Sequence, residues 1–327
     1  MKRRTVLAAP LALAATTTIG HAQAPARVFR VGWVVGSTAA ASAPLLDALR
    51  KGLADLGYVE GRNLTIEARY ADDVPDRVPA LAQELLRVPV DVVVTQGAAT
   101  WAVVKVVTAT PVVYVFSADP VEAGFAPSLG RPSGVATGLT LMLVEVNGKR
   151  FELLHEMLPG VRRATIIANP DHRGEHLERK DSEDAARRLG IEIQYRPVHD
   201  DAELDAAFRA MAADPAESQA IVAFPDPLTI RNRQRIVDFG MTRRVPVVGG
   251  WAVFAQSGAL FTYGPRLAES YRRSAYYVDR ILKGARPSDL PIERPTVFEL
   301  VVNLRTARAL GITVPPALLV RADDVIQ

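Results

Sequence analysis

Short runs of β-branched residues alternate along this chain with longer stretches whose apolar positions recur every three to four residues. Val31-Gly32-Trp33-Val34-Val35 has the continuous apolar character of a buried strand. Leu45, Leu46, Leu49, Leu53 and Leu56 follow at helical spacing over Pro44 to Leu56. Gly57 stops that helix, because glycine takes the left-handed C-terminal conformation at little cost. The same reading predicts strands at Leu64–Ala68, Asp91–Thr95 and Pro111–Phe116, with helices at Val78–Leu86 and Thr100–Val107 between them.

The second half repeats the rhythm. Strands are predicted at Ala164–Ala168, Ile191–Tyr195, Ala220–Phe224 and Val245–Val248, and helices at Leu177–Leu189, Leu204–Met211 and Leu228–Phe239. Predicted strand ends at Val35, Val94 and Phe116 are separated by 59 and 22 residues, and those at Ala168, Phe224 and Val248 by 56 and 24. Strand–helix alternation with matched gaps predicts an α/β fold of two doubly wound parallel-sheet lobes around a cleft. Ligands of such sheets sit outside the C-terminal strand ends. Those ends are Gly36-Ser37-Thr38, Gln96-Gly97-Ala98-Ala99-Thr100 and Ser117-Ala118-Asp119-Pro120 in the first half. In the second they are Asn169-Pro170-Asp171, Pro225-Asp226-Pro227 and Gly249-Gly250-Trp251. Several of these loops run into helix N-termini, whose amides favour carboxylates and other anions.

The N-terminus breaks the pattern. Lys2, Arg3 and Arg4 precede an uncharged run from Thr5 to Ile19, and Ala22-Gln23-Ala24 follows. Basic, apolar, then small-x-small reads as a secretory signal peptide over residues 1–24, because the apolar run is too short to span a bilayer. An uncleaved N-terminal anchor is the alternative. Lys2-Arg3-Arg4-Thr5-Val6-Leu7 also has a twin-arginine look. The whole chain of 327 residues has a formal net charge of +3, and losing the leader's three basic residues brings it to zero. A neutral remainder without a basic run gives no electrostatic case for nucleic acid. Cysteine is absent, so disulfides, thiolate metal sites and cysteine nucleophiles are excluded.

Motifs for bond-making chemistry are missing as well. The chain has no G-x-x-x-x-G-K-[ST], no G-x-G-x-x-G after a strand and no G-x-S-x-G. His172 and His176, flanked by Asp171 and Glu175, have a metal-like spacing. Arg173, Arg179 and Lys180 crowd the same stretch, which therefore reads as a charged solvent face, with no metal expected. Arg231, Arg233 and Arg235 read as charged points on a surface helix.

Several longer segments resemble one family. They are Asp55-Leu56-Gly57-Tyr58-Val59-Glu60-Gly61-Arg62-Asn63-Leu64, Asp119-Pro120-Val121-Glu122-Ala123-Gly124-Phe125, Ser128-Leu129-Gly130-Arg131-Pro132 and Tyr276 to Gly284. Phe298 to Leu304, Ala309 to Pro316 and Arg321 to Ile326 complete the set. Together they resemble the periplasmic substrate-binding proteins of ABC transporters, in the branch that includes tryptophan- and tyrosine-binding members. The resemblance implies a type I periplasmic binding protein fold with three crossings between lobes, near Gly138–Leu141, Val248–Trp251 and Leu290–Pro295. Lobe one would then hold residues 25–140 and 251–290, and lobe two residues 141–250 and 291–327.

The family's ligand loops map onto Ser37 and Thr38, Gly97, Ala98, Ala99 and Thr100, Ser117 to Asp119, Asn169, Asp226, and the Gly250-Trp251 turn. Relatives that bind aromatic amino acids tend to carry Asp-Asn after the lobe-two strand, whereas this chain has Asp226-Pro227. The expected function is a monomeric periplasmic binding protein, with no cofactor and no enzyme activity, that hands a small polar or amphipathic solute to an inner-membrane ABC permease. Helix N-termini at Ser37–Thr38 and Gly97–Thr100 would hold a carboxylate, and Asp226 a cationic or hydroxyl end. Trp251 and Tyr263 would supply aromatic walls. A receptor that presents its solute to a membrane sensor, and a secreted α/β enzyme, are the competing readings.

Overall fold

The computed structural model describes residues 27–141, 144–214 and 218–327; the leader lies outside them. In chain order the first half contains β1 (Phe29–Val35), α1 (Ala39–Asp55), β2 (Leu64–Tyr70), α2 (Val78–Leu85), β3 (Val92–Gln96), α3 (Ala99–Val106), β4 (Val112–Phe116) and β5 (Ala136–Thr140). Then come α4 (Val144–Met157), β6 (Arg163–Ala168), α5 (Glu175–Arg188), β7 (Glu192–Pro197), α6 (Asp201–Ala213), β8 (Ile221–Ala223), α7 (Pro227–Arg231), α8 (Arg233–Arg243), β9 (Val247–Gly249), α9 (Ala252–Gln256) and β10 (Phe261–Pro265). The chain ends with α10 (Leu267–Leu282), β11 (Phe298–Asn303), α11 (Leu304–Leu310), α12 (Pro316–Arg321) and β12 (Asp324–Ile326).

The strands form two sheets. One has the order β2-β1-β3-β4-β5 and is parallel throughout. The other has the order β12-β11-β10-β9-β8-β6-β7 and is parallel except for the antiparallel pair β10–β11. Side chains alternate across each strand, and so feed two cores per lobe. Val31, Trp33 and Val35 of β1 join Leu46, Leu49 and Leu53 of α1 and Tyr271, Ala275 and Val278 of α10. Val34 of the same strand faces the other way, toward Leu85 of α2 and Val103 of α3. In the second sheet Ile166 packs with Phe151 and Leu154 of α4, and Ile167 with Leu204 of α6 and Ile236 of α8. Burial on both faces explains why these strands read as unbroken apolar runs.

Three expected features differ. The second crossing falls at Arg266, between β10 and α10, and not near residues 248–251. The reason is that β10 pairs in parallel with β9, Phe261 against Val248, so residues 251–265 belong to lobe two. The helix expected over Leu228–Phe239 is two helices, broken at Asn232. Finally, α1 begins at Ala39, ahead of Pro44, because Thr38 caps it by accepting the Ala41 amide at 3.2 Å.

The three crossings run side by side. Thr140 N donates to Glu293 O at 3.0 Å, Glu293 N to Gly138 O at 3.1 Å, and Arg266 N to Val297 O at 3.0 Å.

Candidate functional site

The lobe-one loops meet at the C-terminal ends of β1, β3 and β4. A Cβ placed on Gly36 would lie 3.9 Å from Ala99 Cβ, and one on Gly97 would lie 3.9 Å from Ser117 Oγ. Ser37 Oγ accepts from Gln96 Nε2 at 3.2 Å, and Gln96 Oε1 accepts from Tyr271 Oη at 2.7 Å. That chain of bonds ties the first two loops to α10. Thr38 spends its hydroxyl on the α1 cap. Ala98 is the N-cap residue of α3 and offers no side-chain cap. Ala99 and Thr100 are buried, and the Thr100 hydroxyl has no hydrogen-bond partner among the described residues. Asp119 turns inward on its own loop, where its Oδ1 accepts the amides of Val121 at 2.7 Å and Glu122 at 3.3 Å.

The lobe-two loops leave β6, β8 and β9. Asn169 Oδ1 accepts the Asp171 amide at 3.0 Å. Asp226 is only 1% exposed and caps α7, its Oδ1 accepting from Leu228 N at 2.6 Å and Thr229 N at 3.2 Å. Its Oδ2 is buried and accepts no hydrogen bond of ordinary length and angle among the described residues. Burial pushes this carboxyl up to about 6, against the opposing pull of the Thr229, Leu228 and Asn169 amides. Below the loops lies a buried ionic group that the sequence pattern did not reveal. The Arg150 guanidinium, on α4, donates from Nε to Tyr263 O at 2.8 Å and from Nη1 to Asn147 Oδ1. Burial lowers it to about 10 despite the nearby Glu178, and burial likewise raises Glu178 to about 7. Gly250 sits against this group, since a Cβ there would come within 2.6 Å of Arg150 Nη2 and 2.8 Å of Pro225 Cγ.

The two aromatic candidates have different surroundings. Trp251 leaves lobe two and packs on the lobe-one core of β1, α1 and α10. Tyr263 stacks on Phe298 at 6.1 Å and packs on the lobe-two core.

The two sets of loops face each other, and the contact is direct. His172 Nε2 lies 3.4 Å from Ser117 Oγ. Arg173 stands 4.7 Å over the Trp101 ring, and His176 Nε2 is 3.3 Å from Glu122 Oε1. The stretch expected to be a charged solvent face therefore spans the cleft. Sequence spacing misled here because α5 starts only at Glu175, so His172 and Arg173 lie in the loop that follows β6. Burial holds the His172 imidazole down to about 4, so it is neutral at physiological pH. Arg231 pairs with Asp201 at 3.0 Å and Arg235 with Asp205, both across to α6, while Arg233 Nε bonds Ser257 Oγ at 3.1 Å. A separate cavity of about 420 Å³ lies beside Val161, Pro246, Arg244 and Leu310. Val161 and Pro246 precede β6 and β9, so this cavity is at the end of the sheet opposite the cleft.

Residues 39–326 match the family described as ABC transporter substrate binding protein. A tyrosine-binding protein of Clostridioides difficile is 21% identical over 272 residues, which cover 82% of this chain and 77% of that protein. A conserved domain protein from Vibrio cholerae has a similar structure, with a TM-score of 0.83 and 25% identity over 91% of this chain and all of the other. An ABC domain in complex with L-Trp from Streptococcus pneumonia gives the same TM-score and coverage at 19% identity. A ligand-free, open substrate-binding protein from Clostridium difficile gives a TM-score of 0.71 at 18% identity, over 92% of this chain and all of the other. The match spans nearly the whole described chain and agrees with two α/β lobes whose strand ends oppose each other. This chain belongs to the ABC transporter substrate-binding proteins, which bind solutes and are not enzymes.

Proposed function

We propose that this chain is the exported, periplasmic binding component of an ABC importer, and that its solute is an amino acid or a close relative of one. The observation that carries the reading is Asp226 Oδ2, a buried carboxylate oxygen at a lobe-two strand end that accepts no hydrogen bond of ordinary geometry among the described residues. Burying such a group alone is costly, and an ammonium beside it would offset that cost. The starts of α1 and α3 across the cleft supply amides suited to a carboxylate. Trp251, reaching from one lobe to the other, is the aromatic wall. The relatives' ligands, tyrosine in one name and L-Trp in one complex, support the same class. The N-terminal pattern supports export with removal of residues 1–24 and delivery to an inner-membrane permease. No helix among the described residues is long and apolar enough to cross a membrane.

A thermal-shift screen tests the ligand class. L-tyrosine, L-tryptophan and other amino acids are compared with 3-phenylpropionate, which lacks the amino group, and with nucleosides. An amino acid at a hundredfold excess over its Kd is expected to add about 2.7 kcal/mol of stability. An equal shift from 3-phenylpropionate would remove the ammonium role of Asp226. Conversion of the ligand by the purified protein would overturn the binding reading altogether.

A further inference from the structure

The cross-cleft contacts made by His172, Arg173 and His176 do more than mark where the lobes meet. Both sides of the contact are stiffly built. On lobe two, His172 N donates to Asn169 O at 3.1 Å and Glu175 N to His172 O at 3.0 Å, and Gly174 takes φ 88° to turn the chain into α5. On lobe one, Glu122 sits on the loop that Asp119 folds inward. Trp101 leans on Phe125 with ring centroids 5.3 Å apart, and Lys105 stands 4.3 Å over the same ring.

The order of strands places these contacts. In the seven-stranded sheet the crossing leaves β10, the Gly250 and Asp226 loops leave β9 and β8, and the contacting segment leaves β6. The segment is three strand spacings from the crossing, roughly 14 Å. On lobe two the contact therefore lies beyond the solute loops, whereas on lobe one Ser117 and Glu122 follow β4, the neighbour of β5 from which a crossing leaves. A favourable interaction between the two loops is made only when the lobes are together, and so favours closure.

We infer that His172, Arg173 and His176, against Ser117, Trp101 and Glu122, form an interlobe latch that holds the two lobes together before any solute arrives. The latch uses a neutral imidazole on a hydroxyl, a cation on an indole face, and an imidazole on a carboxylate. A cation on a half-buried ring and an exposed imidazole–carboxylate contact are each modest interactions, so the latch biases closure without locking it. Apparent affinity scales with the fraction of protein in the binding-competent state, so such residues tune affinity through closure, in addition to any contact that Ser117 makes with the solute. The inference concerns the ligand-free protein and holds whichever solute is bound.

The absence of cysteine makes the test clean, because two introduced thiols are the only ones present. Spin labels on Lys51→Cys of α1 and Arg209→Cys of α6, both exposed and in different lobes, report the interlobe distance in ligand-free protein. The otherwise unaltered protein is expected to show a predominant short distance. Arg173→Ala and His176→Ala are each expected to lower the ratio of short to long distances about 2–5-fold. Glu122→Gln, which removes only a charge from an exposed loop, is expected to act in the same direction and guards against loss of folding in the other variants. Distance distributions that do not change with these substitutions overturn the latch. A ligand-free protein found only at the long distance overturns it equally. Neither outcome bears on whether an amino acid is the solute.

Discussion

Asp226 carries two loads with one side chain. Its Oδ1 completes the α7 cap, while its Oδ2 is buried and accepts no hydrogen bond of ordinary geometry among the described residues. The fold raises its pKa from 3.8 to about 6, so the neutral form is favoured on folding. Stability that is fully present below pH 3.8 is then lost as pH rises through about 6. His172 has the opposite sign, since its lowered pKa gives stability that is present above pH 6.5 and lost as pH falls through about 4. Asp226→Asn keeps an oxygen for the cap and removes the ionisation. Between pH 4 and 7 the ligand-free variant is expected to gain about 2–3 kcal/mol on the wild type, and to lose solute affinity at pH 7. Urea melts across that range, with calorimetry at pH 7, provide the check. Superimposable stability profiles would show that Asp226 is not buried as a costly anion. An ammonium placed beside Asp226 lowers its pKa again, so wild-type affinity is expected to rise with pH up to about 6.

At the scale of elements, Arg150 joins α4 to β10 and to the floor beneath Gly250. A buried cation stripped from its partners is expensive, and so are partners left without their cation. Arg150→Met is expected to cost roughly 3 kcal/mol in urea unfolding. Glu178→Gln should cost much less near neutral pH, because burial has already brought that carboxyl to about 7. Equal losses from the two would mean that Arg150 is held by packing alone. Neither residue stood out in the sequence, since each is one polar position on an amphipathic helix and the partner elements lie far along the chain. Local patterns served better where the structure is local. The unbroken valine runs of β1, β3 and β4 and the leucine spacing of α1 were legible because each strand is buried on two faces and α1 on one. The placement of residues 251–265 was not legible, because it depends on β10 pairing with both β9 and β11. The loops at the strand ends could be listed from the sequence. Which of their side chains cap helices, as Thr38 and Asp226 do, and which span the cleft, as His172 does, depends on distances that spacing does not encode.

The whole molecule is two bodies joined by three adjacent crossings. Hydrogen bonds at Thr140–Glu293, Glu293–Gly138 and Arg266–Val297 bind the crossings into one band. Rotation about such a band needs dihedral changes in only a few residues, which is the usual anatomy of a hinge. A solute that touches both lobes stabilises the closed arrangement by its differential affinity for that arrangement. The latch already contributes part of the same bias, and this sets what solution scattering should record. The wild type is expected to compact only slightly when a confirmed solute is added, because much of the population is already closed. The Arg173→Ala/His176→Ala protein is expected to have a larger radius of gyration when free, and to contract to the wild-type value at saturation. Its Kd should rise by at most about 4–25-fold, the product of two weak interactions removed from the closed state only, and by less the more fully the free wild type is closed. Neither Arg173 nor His176 is a candidate solute residue, so the loss is expected to come from the cost of closing. A radius that stays larger than wild type even at saturation would show that the substitutions damage the closed state itself. A radius unaffected by solute in both proteins would point to a rigid cleft, and the hinge account would then fail.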